Sequence, residues 1–294
     1  MTYIRPKQLK QGDTIAFIAP AGVVKNLDNI NRAKTFLETK GFKVIFSKHL
    51  FNQHNYMSDT DENRLSDLHW AFSNPEINAI ICARGGYGCL RLINKIDYEL
   101  IISNPKPFCG YSDITILSAL LLKKANLITY SSPMANGDFG AMEISDYTID
   151  NFFKTVSNQE PQTHKAEKIY NSGKSKGTLF GGNLASIVSL CGTDFIPDEK
   201  FILFAEDLNE PVYKIDRMIT QLLNIPKFKN NLAGLAFGEF IDSGYPEQLD
   251  ELFTATAKCL NLPAIGGLKI SHNKDKITLP IGAEATIINN TLSF

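Results

Sequence analysis

Short β-branched segments alternate with helical patterns along most of this 294-residue chain. The first segment, Thr14 to Ala19, runs into the turn Pro20-Ala21-Gly22 and is followed by apolar residues at helical spacing from Leu27 to Leu37. Further strand-like segments, separated by helical patterns, occupy residues 42–46, 77–83, 107–109 and 127–130. Neighbouring parallel strands need such crossovers, and the crossover helices cover both faces of the sheet. The sequence therefore predicts an α/β fold with a mainly parallel sheet and helices on both faces.

The composition changes between residues 156 and 176, where polar residues replace the large apolar side chains. We interpret this stretch as a domain junction. The predicted N-terminal α/β domain spans residues 1–160, and a smaller C-terminal α+β domain spans residues 175–294. In the second domain strands and helices again alternate, and the chain ends with two strand-like segments around a Pro/Gly turn.

The overall charge and hydropathy exclude several classes of protein. Thirty Lys and Arg residues against 31 Asp and Glu residues give a formal net charge of -1, which provides no chain-wide field for nucleic acid or an anionic membrane. The longest apolar runs fall short of the roughly 18 to 20 residues that cross a bilayer, and the N-terminus lacks the pattern of a secretory signal. We therefore expect a cytoplasmic protein with no nucleic-acid or membrane partner. The five cysteines include no C-x-x-C pair, which argues against a disulfide frame or a zinc knuckle.

A first candidate site follows the strand at residues 107–109, where the sequence reads Gly110-Tyr111-Ser112-Asp113 before an apolar helix. A sharp turn from strand to helix lifts a hydroxyl out of the sheet, next to the N-terminus of the helix. Ser112 is therefore a candidate nucleophile. The alternative is that Ser112 or Asp113 only caps the helix that follows.

A second candidate is the turn Arg84-Gly85-Gly86-Tyr87-Gly88, at the carboxyl end of another predicted strand. Glycines allow backbone N–H groups to approach an oxyanion or a phosphate closely. Neither G-x-G-x-x-G nor G-x-x-x-x-G-K-[ST] occurs, so nucleotide binding has little support. A plain turn is the alternative.

Two further segments carry side chains of the types used in acid–base catalysis. Glu206-Asp207-Leu208-Asn209-Glu210 follows an apolar strand, and His272 lies in a predicted loop. Ser112, Glu206 and His272 occur in the order Ser, acid, His, which a serine hydrolase triad can use when the fold brings them together. Acids in a surface turn and a solvent-exposed loop histidine are the alternatives. The acidic segment has no metal-binding histidine motif beside it, which makes a metal site the weaker interpretation.

Six motifs, in order and nearly from end to end of the chain, resemble the LD-carboxypeptidases. This serine peptidase family includes the murein tetrapeptide carboxypeptidases and the microcin C immunity peptidases. The residues that carry the resemblance are Ile18 to Gly22, Arg84 to Gly88, Gly110 to Asp113, Gly177 to Leu184, Glu206 to Met218, and His272 before Leu279 to Gly282.

The resemblance implies a role for each candidate residue. The family's nucleophile falls on Ser112, its acid on Glu206 and its base on His272. Its oxyanion hole is similar to a pair made by the backbone N–H of Asp113 and the N–H of either Gly85 or Gly86. We expect Arg84, or the N-terminus of the helix after Ser112, to hold the terminal carboxylate of a substrate, with Tyr87 and Asn183 as further substrate-binding residues.

The resemblance also implies an activity without a metal or cofactor, in an enzyme that is commonly a homodimer. The expected reaction is hydrolysis of the amide between an L-centre and the terminal D-alanine of a murein tetrapeptide, through an acyl-enzyme. One alternative is a peptidase that cleaves aminoacyl-nucleotide antibiotics, as the microcin immunity proteins do. Another is a non-catalytic peptide or sugar binding protein of the same fold.

Overall fold

The computed structural model describes residues 3–294. Its first half alternates strands with helices, as the sequence predicts. The strands are β1 (Thr14–Ile18), β2 (Lys43–Phe46), β3 (Ala79–Cys82), β4 (Phe108–Cys109) and β5 (Thr129–Ser131). The helices are α1 (Leu27–Thr39), α2 (Asp61–Ser73), α3 (Tyr98–Ser103), α4 (Ile114–Ala125) and α5 (Asp146–Phe152). One turn of π-helix spans Ala135–Phe139, and a second spans Phe153–Ser157.

The second half carries nine strands and four helices. The strands are β6 (Thr163–Lys165), β7 (Lys168–Asn171), β8 (Lys174–Asn183), β9 (Phe201–Leu208), β10 (Leu232–Ile241), β11 (Ala264–Gly266), β12 (Leu279–Ile281), β13 (Glu284–Ile288) and β14 (Thr291–Ser293). The helices are α6 (Leu184–Val188), α7 (Val212–Leu223), α8 (Pro226–Asn231) and α9 (Pro246–Leu260).

The strands form two sheets. The first has the order β12-β5-β4-β3-β1-β2, and β1 to β5 all pair in parallel. The second has the order β6-β14-β13-β8-β9-β10-β11-β7, with a parallel centre from β8 to β11. The predicted α/β class, with a parallel sheet and a second sheet unit, is confirmed. Because ligands gather at the carboxyl ends of parallel strands, the turns after β1, β3 and β4 define the edge where a site is expected.

One late strand returns to the first sheet. β12 pairs antiparallel to β5, with Leu279 opposite Ser131 and Ile281 opposite Thr129. The loop between β11 and β12 must therefore pass from the second sheet to the first. This crossing carries His272 to the side of the molecule on which β4 ends.

Helix α4 connects the two sheets. It packs against β5 and β12 of the first sheet and against β8 of the second, and its side chains from Ile114 to Leu122 are all buried. A helix that is apolar on every side is a buried helix. A Cβ on Gly182 of β8 would lie 2.5 Å from the Thr115 side chain, so only glycine allows β8 to approach the start of α4 this closely.

The predictions differ from the structure at two places. The stretch that reads as a polar junction contains β6 and β7, whose side chains are mostly exposed or half-buried and so lack the apolar pattern of a buried strand. The helical pattern expected between the strand-like segments 77–83 and 107–109 is divided into a short 3-10 turn, Cys89–Arg91, and helix α3. The domain boundaries at residues 160 and 175 stay a prediction. Between residues 3 and 294, none of the helices has the length and apolar character that spanning a bilayer requires.

Candidate active site

The turn between β4 and α4 holds Ser112 in an unusual backbone conformation. Its φ of 62° lies in the left-handed region, which costs a residue with a Cβ about 1 to 3 kcal/mol. The turn places Ser112 directly before the N-terminus of α4, with its side chain half-buried rather than in the core. This is the geometry of a serine raised out of a sheet for attack.

The turn after β3 packs against Ser112. A Cβ added to Gly85 would lie 2.7 Å from Ser112 Cβ and 2.8 Å from Ser112 Oγ, so this position requires glycine for close approach. The carbonyl oxygen of Gly85 accepts a hydrogen bond of 3.0 Å from Gly22 N. A Cβ on Gly86 would face Gly22 Cα at 3.2 Å instead. The turns after β1, β3 and β4 thus meet at the serine.

Asp113 ties these turns together. Its carboxylate Oδ2 accepts a hydrogen bond of 2.9 Å from Cys89 N, and burial raises the pKa of this carboxyl group above its usual value. The backbone N–H of Asp113 has no acceptor in the described part of the chain. It is a free donor beside Ser112, at the positive end of the α4 dipole.

Glu206 and His272 form a hydrogen-bonded pair. Glu206 lies on β9, in register with Asn183 of β8, and is only 3% exposed. His272 Nδ1 lies 2.8 Å from Glu206 Oε2. Because a carboxylate only accepts, Nδ1 is the ring nitrogen that donates to Glu206, and Nε2 is the nitrogen directed away from this contact.

His272 also contacts the turn that holds Ser112. Its ring centroid lies 5.0 Å from that of Tyr111, edge to face at 74°, and Tyr111 immediately precedes Ser112. Residues 3–294 contain no hydrogen bond between Ser112 and His272. The structure therefore brings the turn of Ser112 and the Glu206–His272 pair into one site, with Tyr111 between them.

Arg84 and Tyr87 flank the glycine turn in different ways. The guanidinium of Arg84 folds back onto the turn after β1, where Nη1 donates to Val23 O at 2.9 Å. Tyr87 is exposed, and its ring lies 5.6 Å from that of Tyr56, which is also exposed. The substrate-binding roles of Arg84 and Tyr87 stay predictions.

Asn183 is buried and its amide is used within the fold. Nδ2 donates to Asp207 Oδ1 at 2.9 Å, and Oδ1 accepts from Ser186 N at 3.0 Å, which caps α6. Its backbone N donates to Thr115 Oγ1 at 3.2 Å. Burial raises the pKa of Asp207 above its usual value. These contacts fasten the end of β8 to α4, and a direct contact of Asn183 with substrate stays a prediction.

A cavity of ≈ 380 Å³ opens beside His272. Eight of its twelve lining residues have polar side chains, among them Tyr111, Asp138, Glu143, Ser145 and Thr148. A space of this size fits a small peptide or its leaving amino acid. Among residues 3–294, no group of three or more His, Cys, Asp or Glu side chains is arranged to hold a metal ion.

The sequence motifs did not point to one charged pair at this site. Lys276 Nζ contacts Asp138 Oδ1, and both side chains are buried. Lys276 Nζ also lies 4.8 Å from the centroid of the Tyr111 ring. Neither Lys276 nor Asp138 belongs to the six motifs, and Tyr111 lies within one but was given no role. The sequence signal for one member of the pair was a lysine four residues after the candidate base, and nothing in the sequence links it to Asp138.

Comparison with known sequences identifies two family models that match the chain in order. One is described as the LD-carboxypeptidase N-terminal domain and matches residues 15–132. The other is described as the LD-carboxypeptidase C-terminal domain and matches residues 176–287.

Individual proteins match over nearly the whole chain. A "probable murein peptide carboxypeptidase" of Bacillus subtilis is 36% identical, over 96% of this chain and 91% of that protein. The microcin C7 self-immunity protein MccF of Escherichia coli is 28% identical, over 95% of this chain and 91% of that protein. The crystal structure of an MccF-like protein from Bacillus anthracis superposes with a TM-score of 0.91 at 28% identity, covering 99% of both chains.

Proposed function

The chain belongs to the LD-carboxypeptidase family and is a serine-type carboxypeptidase, and from this premise we propose that it removes the terminal D-alanine from murein tetrapeptides. In this proposal Ser112 is the nucleophile, His272 the base and Glu206 the acid that orients the base. The observation that carries the proposal is the 2.8 Å contact of His272 Nδ1 with Glu206 Oε2, beside the turn that presents Ser112.

The first half of the reaction forms an acyl-enzyme. His272 Nε2 takes the proton from Ser112 Oγ, which attacks the carbonyl carbon of the amide between the L-centre and D-alanine. The Glu206 carboxylate stabilises the resulting imidazolium. His272 then donates its proton to the leaving nitrogen, and free D-alanine departs.

In the second half of the reaction, water activated by His272 hydrolyses the ester and restores Ser112. Hydrogen bonds of this kind often tighten only in the substrate complex, which agrees with the absence of a Ser112–His272 bond in residues 3–294.

The oxyanion of the tetrahedral intermediate needs two backbone donors. The unbonded N–H of Asp113 supplies the first. We propose Gly86 N–H as the second, rather than Gly85 N–H. The Gly85 carbonyl is directed at Gly22 N, and in a trans peptide the next N–H points the opposite way. Gly86 N–H therefore points away from Gly22.

The substrate cavity beside His272 would receive the peptide end of the muropeptide. A carboxypeptidase must also hold a terminal carboxylate, and this charge would meet either Arg84 or the N-terminus of α4. Arg84 Nη1 is engaged by Val23 O, which leaves the other edge of its guanidinium for a ligand. Arg84→Ala would then raise the Michaelis constant and leave kcat less affected.

We also propose that the site depends on the contact between the two predicted domains, residues 1–160 and 175–294. Support comes from bonds that cross this boundary, such as Asn183 N to Thr115 Oγ1 at 3.2 Å. A shift between the two parts would separate His272 from Ser112, and displacements of about 1 Å can lower a rate 100-fold.

A second substrate class is favoured by the likeness to MccF: an aminoacyl-nucleotide antibiotic cleaved at the amide between its amino acid and its nucleotide. The groups at Ser112 would act identically, and only the leaving group would differ. Measuring kcat/KM for a murein tetrapeptide and for processed microcin separates the two. The proposal expects the tetrapeptide to be the better substrate by at least about tenfold, and the reverse preference would assign the antibiotic role. Ser112→Ala is the control for contaminating hydrolases in both assays.

A further inference from the structure

A buried ion pair lies next to the proposed triad but belongs to none of its steps. The side chains of Lys276 and Asp138 are 4% and 7% exposed. The backbone N of Lys276 donates to Thr148 Oγ1 at 2.9 Å, and Asp138 Oδ2 accepts from Met134 N at 2.8 Å. The pair therefore joins the loop that carries His272 to the π-helical turn after β5.

Tyr111 connects this pair to the catalytic side chains. The ammonium of Lys276 lies over the Tyr111 ring, 4.8 Å from its centroid, in cation–π geometry. The same ring meets the His272 ring at 5.0 Å. Burial, followed by the carboxylates of Asp138 and Glu206, holds the pKa of Tyr111 well above its usual range. The phenol therefore stays neutral.

The stability of the fold gives little reason for charges at this place. Removing two charges from water is costly, and an apolar pair of similar size often stabilises a protein equally well. The position of the pair suggests a role at the site instead. The Lys276 ammonium lies over the Tyr111 ring, and Tyr111 precedes Ser112 in the sequence and contacts the His272 ring.

We propose that Asp138 and Lys276 are positioning residues that hold Tyr111 and the His272 loop against the nucleophile turn, and that their balanced charges set how readily His272 takes up a proton. The inference rests on the proposed function in treating His272 as the base. It goes beyond that function because a pair outside the triad would control the geometry and the proton affinity of the base.

Other charges also face the histidine and must be held constant in any test. Glu206 on β9 is hydrogen-bonded to the ring. The remaining groups lie on the His272 loop or pack against it. They are two ion pairs, Lys274–Glu143 and Lys269–Asp275, and the carboxylate of Glu239, which accepts a hydrogen bond from Asn273.

The test changes one charge of the pair at a time. Lys276→Met keeps the length of the side chain and leaves the Asp138 carboxylate unpaired, which favours the imidazolium. Asp138→Asn leaves the Lys276 ammonium unpaired, and this positive charge disfavours the imidazolium. We expect the midpoint of the His272 titration to rise by about half a pH unit in the first variant and to fall by a similar amount in the second. The double variant should return close to the wild-type midpoint.

The readout is the imidazole C–H signal of His272 in NMR spectra recorded across pH, assigned with His272→Gln. This measurement needs no turnover, so it tests the inference even if the proposed substrate is wrong. Lys176→Met is the matched control, because it breaks an exposed ion pair, between Lys176 of β8 and Glu284 of β13, that is not among the charges facing His272. It should leave the midpoint unchanged.

Kinetics supply the second readout. Lys276→Met should lower kcat at least about tenfold with less than a twofold change in KM, and the acidic limb of its kcat/KM profile should move in the same direction as the titration. Unchanged midpoints in both single variants, or shifts of the same sign, would overturn the inference. If Lys276→Met does not fold, the predicted fall of the His272 midpoint in Asp138→Asn is the deciding measurement. If the wild-type protein does not cleave the murein tetrapeptide but the two single variants shift the His272 midpoint in opposite directions, the proposed function is rejected and the charge coupling stands.

Discussion

His272 Nδ1 lies 2.8 Å from Glu206 Oε2, although 66 positions separate the two residues in the chain. β9 carries Glu206 in the second sheet, and the loop that leads to β12 carries His272 as it crosses to the first sheet. This contact fixes the tautomer of the imidazole and leaves Nε2 facing outward from the acid. In the proposed mechanism, the reactivity of Ser112 depends on this arrangement.

Glu206→Gln should retain the shape of the side chain and remove its charge. Since an amide cannot stabilise the imidazolium and can select the wrong tautomer, kcat should fall by about 10³ to 10⁴ with little change in KM. Steady-state kinetics on the substrate checks this expectation. Glu284→Gln, at an exposed position of β13, is the control and should retain full activity. A loss below tenfold in Glu206→Gln would remove the acid from the proposed triad.

Ser112→Gly and Ser112→Ala should both be inactive but differ in stability. The φ of 62° suits glycine and strains alanine, so the glycine variant should be more stable by about 1 kcal/mol. Urea unfolding of the two variants measures the difference. Equal stability, or a more stable alanine variant, would show that the left-handed turn carries no strain.

Gly85→Ala should damage the site more than the fold. The new Cβ would lie 2.8 Å from Ser112 Oγ and displace the nucleophile, so kcat should fall at least about 100-fold. The unfolding free energy should decrease by about 1 to 3 kcal/mol because of overpacking. In a Ser112→Gly background the clash with the Ser112 side chain is gone and only the 3.3 Å approach to Asp113 N remains, so Gly85→Ala should then destabilise the protein much less. An equal loss of stability in both backgrounds would contradict the contact.

His164 provides a pH-dependent contribution to stability. Burial first, and then Lys154, lowers the pKa of His164 from 6.5 to about 4, and its ring stacks on Phe294 with centroids 5.5 Å apart. Because the unfolded chain binds the proton at higher pH, the folded state loses stability as pH falls from 6.5 towards 4.

His164→Phe should remove this loss. The wild-type protein should lose about 2 kcal/mol more unfolding free energy between pH 7.5 and 4.5 than the variant does. Chemical unfolding at the two pH values measures both losses. If the two proteins lose equal amounts, His164 is not held neutral in the folded state.

Local patterns predicted most of the scaffold. The apolar strands and the turns that end them, such as Pro20 to Gly22 after β1, are properties of contiguous sequence. β6 and β7 escaped prediction because edge strands with exposed side chains carry little apolar pattern. The pairing of β12 with β5 joins segments about 150 residues apart, and no local signal encodes it.

The site was predictable to a similar degree. Ser112, Glu206 and His272 were selected from their positions after predicted strands or in a loop, and the family resemblance supplied their roles. The structure brings Glu206 and His272 into contact beside the turn of Ser112. The ion pair between Lys276 and Asp138 could not be selected, because its two halves lie in unrelated segments. Only the crossing of the His272 loop to the first sheet makes them neighbours.

The most direct test of the central claim is mass spectrometry of a murein tetrapeptide and the matching pentapeptide after incubation with the purified protein. The account predicts loss of one D-alanine from the tetrapeptide, no loss from the pentapeptide, and no reaction with Ser112→Ala. An intact tetrapeptide after incubation with folded wild-type protein, or equal cleavage by Ser112→Ala, would contradict it.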